Sequence, residues 1–257
     1  KLVVDIGCND GLLLSKLNAM GATTLGVDPA ENIAELAREK GVDVHVSYFT
    51  PDEADALRQK YGPAKGIVTT NTFNHIGDLH TFMKGIVTLL ADDGVFVIEV
   101  PRAKEYLEHT EFENIYHEHV SEFSLLSLVK LGEFFKLDVT DVHHMPNIHG
   151  GSMRVFMRPK EAGFEREPVV QRMLDEEREA GMLDKNSYTD LVKRVDAMGE
   201  ELRDMLDALK AEGKKIAGYG ASARGNTLIT YYGIGRNYLD FLVDKNPLKH
   251  DHFSPNT

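Results

Sequence analysis

The segment VVDIGCNDG, Val3 to Gly11, restricts this chain more than any other stretch. An apolar β-branched run ends in Asp5, a glycine follows at Gly7, and Gly11 stands where an apolar helical pattern begins. That order reads as a strand, a sharp turn and a helix. Glycine is needed where the backbone must turn sharply or let a ligand lie against it without a Cβ in the way. The helix start beyond the turn supplies unpaired N–H groups. Similar alternations follow, which is the signature of βαβ units on a parallel sheet.

Strands are predicted over 2–6, 24–27, 44–46, 65–70 and 94–100, the last ended by Pro101. Helices are predicted over 12–20, over 31–40 with Gly41 as C-cap, and over 79–90. Residues 102–119 carry aromatics, His and Glu without a clear period. Ser124 fits an N-cap for a helix through 135, and strands over 137–142 and 153–157 complete the sheet. A composition shift comes at Pro159. Residues 165–212 are charge-rich and helix-patterned, with Leu191, Val195, Met198, Leu202, Met205 and Leu209 as an apolar stripe expected to pack on the protein body. After Gly213 come a strand over 215–219, a glycine-rich turn, a helix near Asn226 and a strand over 239–243 ending at Asp244. The expected organisation is α/β: a doubly wound parallel-sheet domain over 1–158, then a helical segment and a smaller C-terminal α/β domain over 159–257. Both ends read as cut, so the C-terminal domain is expected to be truncated.

Composition narrows the partners. Lys and Arg number 29 against 41 Asp and Glu, a formal net charge of −12, which disfavours nucleic acid and anionic membrane as partners. The single cysteine, Cys8, excludes an internal disulfide and a multi-cysteine zinc site, so a reducing, cytoplasmic setting is expected. No apolar run approaches the roughly 20 residues of a membrane span. Oligomeric state is not readable.

Asp28 follows Gly7 by about 20 positions, the spacing at which an acid at the end of a second strand meets a ribose diol. Loop and acid together select an adenosine-type cofactor. A dinucleotide loop places a second glycine where this chain has Asn9, and neighbouring Asp10 would repel a diphosphate. The pattern Asp-x-Gly-x-x-x-Gly instead resembles the first motif of class I S-adenosylmethionine methyltransferases. That resemblance implies S-adenosylmethionine as cofactor, whose sulfonium and amino groups tolerate nearby acid. Its contacts are expected from Asp5, Gly7, Asn9, Gly11 and Asp28, with Asn71 after the fourth strand. Tyr48 and Phe49 follow the third strand, where adenine contact and core packing are equal alternatives; Phe49 is carried as a cofactor candidate.

Groups able to move protons concentrate in NTFNHI (71–76), NIYHEH (114–119) and HHMPNIHGGS (143–152). Adjacent side chains diverge, so His117, Glu118 and His119 do not form a metal site, and no metal is predicted. An acid–base role suits a histidine beside a carboxylate better. The blocks IYHEHVSEFSLLSL (115–128), IHGGSMRV (148–155) and GYGASARGNTL (218–228) resemble the sugar-nucleotide C-methyltransferases, among them C-3′-methyltransferases of deoxysugar biosynthesis. The resemblance spans nearly the whole chain. It implies His119 as general base with Glu118, Tyr116 and His75 around it. The implied reaction is C-methylation of a nucleotide-diphosphate 4-keto-deoxysugar through an enolate. Substrate contacts are expected from His149 and from Gly220, Ser222, Arg224 and Asn226, where a glycine turn opens a helix and can hold an anion. Two departures stand out: the cysteine-rich zinc module that usually opens the family is absent here, and family members continue beyond Thr257. Alternatives are O- or N-methylation of another small metabolite, or a non-catalytic cofactor-binding protein. An NAD-dependent oxidoreductase is disfavoured by Asn9 and Asp10.

Overall fold

The computed structural model describes residues 1–148 and 150–254 of the 257. Its contacts form two compact units, 1–104 with 120–180 and 105–119 with 181–257. These units do not follow one cut of the chain near Pro159, because residues 105–119 depart from the first unit and return to it at Val120.

In the first unit, β1 (Leu2–Ile6), β2 (Thr23–Val27), β3 (Val44–His45), β4 (Ala64–Thr70), β5 (Leu90–Pro101), β6 (Leu137–Met145) and β7 (Ser152–Pro159) form one sheet in the order β3-β2-β1-β4-β5-β7-β6. The first five strands pair in parallel, while β7 runs antiparallel to both β5 and β6. Parallel neighbours require crossovers, supplied by α1 (Leu12–Ala19), α2 (Glu31–Glu39), α3 (Pro51–Tyr61) and α4 (Leu79–Leu89). The order reverses between β1 and β4, and ligands of such sheets bind outside the carboxyl ends of the strands at that point.

Burial on both faces explains why the central strands read as continuous apolar runs. Val4, Ile67, Phe96, Ile98, Val155 and Met157 are fully buried in one cluster with Leu125 and Leu128 of α6 (Leu125–Phe134). Ser124 caps α6 as expected, in a reciprocal capping box with Ser127. Helix α3 was not anticipated. Its local signal is complete, however: Thr50 accepts from the Glu53 N–H, Pro51 opens the helix, and Asp52 and Glu53 lie in the first turn.

The charged stretch after 165 forms two helices rather than one. Helix α7 (Pro168–Glu179) stays with the first unit, whereas α8 (Lys185–Ala211) belongs to the second. Gly181 at φ 75° turns the chain, and the Asp184 side chain caps α8 by accepting from Asn186 N. The expected stripe on α8 is rotated. Met198 and Met205 are 46% and 58% exposed, while Leu191, Val195, Gly199 and Leu206 are buried. The cause is Tyr232, whose ring lies against Gly199, where a Cβ would come within 2.5 Å of it, and whose hydroxyl donates to the Val195 carbonyl. The rest of the second unit is α5 (Ala103–His109), which starts in the first unit, then β8 (Ala217–Tyr219), α9 (Ala223–Tyr232) and β9 (Phe241–Val243), with β8 and β9 parallel. Among the described residues no helix is long and apolar enough to cross a membrane.

The rotated stripe is testable with two neighbours in sequence. Leu206→Ala is expected to lower stability by about 2 to 5 kcal/mol. Met205→Ala is expected to stay within about 0.5 kcal/mol of wild type. Urea denaturation followed by circular dichroism measures both.

Candidate active site

The turn after β1 is held by the end of β2. Gly7 N donates to the Val27 carbonyl at 2.8 Å and Asn9 N donates to Asp28 Oδ2 at 3.0 Å. Asp28 Oδ1 accepts from Ala30 N at 2.9 Å, so this carboxylate fixes both its own turn and the glycine turn. Asp28 was expected to meet a ribose diol. It does structural work as well, and a carboxylate with four lone-pair sites can do both.

Gly7 and Gly11 take φ of 76° and 72°. A Cβ on Gly7 would fall 2.3 Å from Thr72 Oγ1, and one on Gly11 2.8 Å from the Ala37 Cβ. The expectation was that these glycines make room for a ligand; in the structure the space beside them is taken by the protein's own side chains. Asn9 and Asn71 also adopt left-handed backbone, at φ 50° and 52°. Such residues cluster where a loop is shaped for function. Asn71 follows β4 and donates its N–H to the Glu99 carbonyl at 2.9 Å.

Asp5, next to last in β1, is 4% exposed, and its Oδ1 has no hydrogen-bond partner among the described residues. Burial, with the Asp28 charge added, pushes its carboxyl up to about 7. A buried, unsatisfied carboxyl oxygen next to a second carboxylate suits a cationic ligand group and opposes a diphosphate. The site residues therefore fit S-adenosylmethionine, whose amino and sulfonium groups are both cationic. Phe49 is half-buried, and its ring meets Phe82 edge-on at 5.3 Å and lies over Gly85. Tyr48 is 77% exposed.

Comparison with known proteins agrees with this geometry. Residues 1–142 match the family described as Methyltransferase domain, and residues 147–257 match the C-methyltransferase C-terminal domain. The chain belongs to the class I methyltransferase family. It is 37% identical over 254 residues to the C-methyltransferase NovU of Streptomyces niveus, covering 99% of this chain and 60% of that protein. A mitochondrial ubiquinone biosynthesis O-methyltransferase of Bos taurus is 29% identical over 101 residues, 37% of this chain and 27% of that protein. The chain thus spans no more than about 60% of the length of these curated relatives. Among solved structures, a SAM-dependent methyltransferase of Archaeoglobus fulgidus superposes with a TM-score of 0.51 at 16% identity, over 61% of this chain and 85% of that one, which establishes the fold.

The remaining candidate residues divide between the two units. His75 is exposed and ends the short 3-10 turn Phe73–His75 after β4 in the first unit. Tyr116, Glu118 and His119 lie in the second. His119 N donates to the Tyr116 carbonyl at 2.9 Å, and this turn brings the two rings together, with centroids 4.3 Å apart and planes tilted by 36°. Glu118 lies 3.9 Å from His117, which is 88% exposed. A different trio, Glu105, Glu108 and His109 on α5, brings its ligand atoms within 4.8 Å of one another. His149 lies outside the described residues.

The glycine turn after β8 is already furnished. Ser222 caps α9 by accepting from Gly225 N at 3.0 Å, and Ala221 N donates to Asp244 Oδ2 at 2.8 Å. Arg224, expected to meet an anion, pairs with Glu113 at 2.5 Å and Glu111 at 3.7 Å. Asn226 Oδ1 accepts from Ser254 at 2.6 Å. Gly220, at φ 100°, has open space where a Cβ would stand. Beside this turn is a cavity of about 980 Å³ whose lining includes Ala221, Asn226, Arg236, Asp244, Lys249 and His252. Asp244 was not singled out as a site residue, although its spacing from Gly220 parallels that of Asp28 from Gly7.

Asp5 gives a pH signature. Its folded-state carboxyl is raised from 3.8 to about 7, so the fold favours the protonated form. Its contribution to stability is full below about pH 4, is lost as pH rises, and levels off above about pH 7. Asp5→Asn removes the ionisation. Its advantage over wild type should grow by about 2 to 3 kcal/mol between about pH 5 and about pH 8.5, measured by urea denaturation of the ligand-free protein.

Proposed function

We propose that this chain carries out S-adenosylmethionine-dependent C-methylation of a nucleotide-diphosphate 4-keto-deoxysugar. The observation that carries the reading is the 37% identity to a C-methyltransferase across 99% of the chain, together with the Tyr-His-Glu-His run at 116–119. The division of the chain into a cofactor domain over 1–158 and a substrate domain over 159–257 is part of this reading.

Asp5, Gly7, Asn9, Gly11, Asp28 and Asn71 would hold the cofactor at the carboxyl ends of β1, β2 and β4. When bound, S-adenosylmethionine supplies the methyl group as an electrophilic carbon on a sulfonium. The unsatisfied Asp5 oxygen accepts from the amino group of the ligand, and Asp28 meets the ribose. The cavity of the second unit runs along β9 beside Ala221 of the glycine turn and Asn226 of α9, and its size suits a nucleotide. Gly220, Ser222, Arg224 and Asn226 stand at its turn. The paired carboxylates Glu113 and Glu111 mean that a diphosphate must compete for Arg224.

His119 takes the proton from the carbon beside the substrate ketone, and the C–H electron pair moves toward the ketone oxygen. That needs a neutral imidazole at the start and gives an imidazolium. The Tyr116 ring, with its centroid 4.3 Å from that of His119, limits the rotation of the imidazole. Tyr116 donates a hydrogen bond to the oxygen as it gains charge, where preorganised donors count most. Glu118 balances the imidazolium charge.

Proton exchange tests the base. The full chain, incubated with a nucleotide-linked 4-keto-6-deoxysugar in deuterated buffer, is expected to place deuterium on the carbon beside the ketone and, with S-adenosylmethionine, a methyl group there. His119→Ala is expected to lower both rates by about 100-fold or more. Tight cofactor binding with neither exchange nor methylation across several such sugars would sink the keto-sugar reading.

A further inference from the structure

Arg102 heads the largest fully buried side chains among the described residues, at 1% exposed, and it lies just past the end of β5. Its Nε donates to Glu177 Oε1 at 3.0 Å, and Glu177 on α7 is itself 0% exposed. The remaining guanidinium donors reach the Met173 carbonyl at 3.3 Å and Glu176 at 3.4 Å. Glu177 does more than neutralise this charge. Its Oε1 accepts from Leu125 N at 3.0 Å and its Oε2 from Leu126 N at 2.9 Å, the first two amides of α6. A carboxylate at a helix N-terminus satisfies orphan donors and complements the helix dipole.

The two backbone segments so gripped are the two stems of one excursion. Arg102 bridges to Phe123, and Ala103 N donates to the Phe123 carbonyl at 2.9 Å. Arg102 N is held in turn by the Gly151 carbonyl at 2.9 Å, and Ser121 N by the Asn74 carbonyl at 3.2 Å. Between these stems run residues 104–122, which carry Tyr116, Glu118 and His119. One buried carboxylate therefore fixes the outgoing stem through a side chain and the start of the helix after the returning stem through two amides.

We infer that Glu177, acting through Arg102 and the first turn of α6, is a positioning residue for the His119-bearing excursion. This rests on the proposed role of His119. Glu177 touches no reacting atom; its effect is to hold both stems, which lowers the number of conformations open to the excursion between them. A loop anchored at both ends by buried groups keeps a base within the narrow range that proton transfer demands.

The test uses the full chain with Glu177→Gln, and the charge-free pair Arg102→Met with Glu177→Leu, because an unpaired buried Arg102 alone can unfold the protein. Hydrogen exchange by mass spectrometry is read beside S-adenosylmethionine affinity and methyl transfer. Amides of 104–122 are expected to exchange at least about tenfold faster while those of β1, β2 and β4 keep their protection. The cofactor Kd should stay within about twofold and kcat should fall about tenfold or more. Glu177→Asp, which keeps the charge, should recover part of kcat. Unchanged protection over 104–122, or protection lost evenly across the sheet, would overturn the inference. So would a loosened excursion with full kcat in a protein whose His119→Ala variant is inactive. Full turnover by His119→Ala would instead mark a failure of the proposed function.

Discussion

The buried ion pair of Arg102 and Glu177 ties together three elements of the first unit. It lies where β5 ends, where α6 begins, and against α7, three elements separated by up to 75 positions of sequence. Removing two charges from water is costly, and the cost is recovered only when every donor and acceptor is matched. Here both Glu177 oxygens accept, and Arg102 donors reach two carboxylates and a carbonyl. Such a pair adds little net stability compared with apolar packing, but it tolerates few alternative arrangements. A polar network in the interior specifies position, whereas the apolar cluster beside it, Leu125, Leu128 and Val155 among others, supplies the driving force.

A second theme is a device that the chain uses twice. After β1, Gly7 N donates to the last residue of β2, Asn9 N to one oxygen of Asp28, and Ala30 N to the other. After β8, Gly220 N donates to the last residue of β9, Ala221 N to one oxygen of Asp244, and Asn246 N to the other. The hydrogen bonds correspond, but the charges do not. Backbone donors from Asn246 and Ala221, with Lys249 at 3.1 Å, hold Asp244 down at about 2. Beside Asp28 the neighbour is instead Asp5, a second acid raised by burial. The first turn sets Asp5 beside Asp28, and the second offers a carboxylate matched by lysine. On electrostatic grounds the first suits a ligand carrying positive charge.

Much of the first unit was legible because its signals are local. Strand runs at 2–6 and 65–70, the cap at Ser124 and the loop from Gly7 to Gly11 each depend on near neighbours and period, and the structure reproduces them within a residue or two. The family resemblance was legible for the same reason, since its blocks are contiguous. Helix α3 was missed despite a strong Thr50-Pro51 start, because its apolar positions, Ala54 and Leu57, are few. The stripe on α8 was displaced because Gly199 leaves room for the Tyr232 ring, and no helical period records where a distant ring will land. The packing of Phe49 on Phe82 and over Gly85 was hidden for a similar reason.

The sequence by itself determined that a glycine turn follows the first strand, that acids stand beside it, and that a histidine-rich run comes later. These are properties of residue type and spacing, and backbone sterics makes them local. Only the tertiary structure decided what each group meets. It seated Thr72 beneath Gly7, left the Asp5 oxygen unsatisfied, and spent Arg224 on Glu113. It also brought Glu177 to the amides of Leu125 and Leu126, 52 and 51 positions away. The reason is that burial and electrostatic pairing depend on distance in space, which folding sets through the packing of whole elements and which sequence separation does not encode.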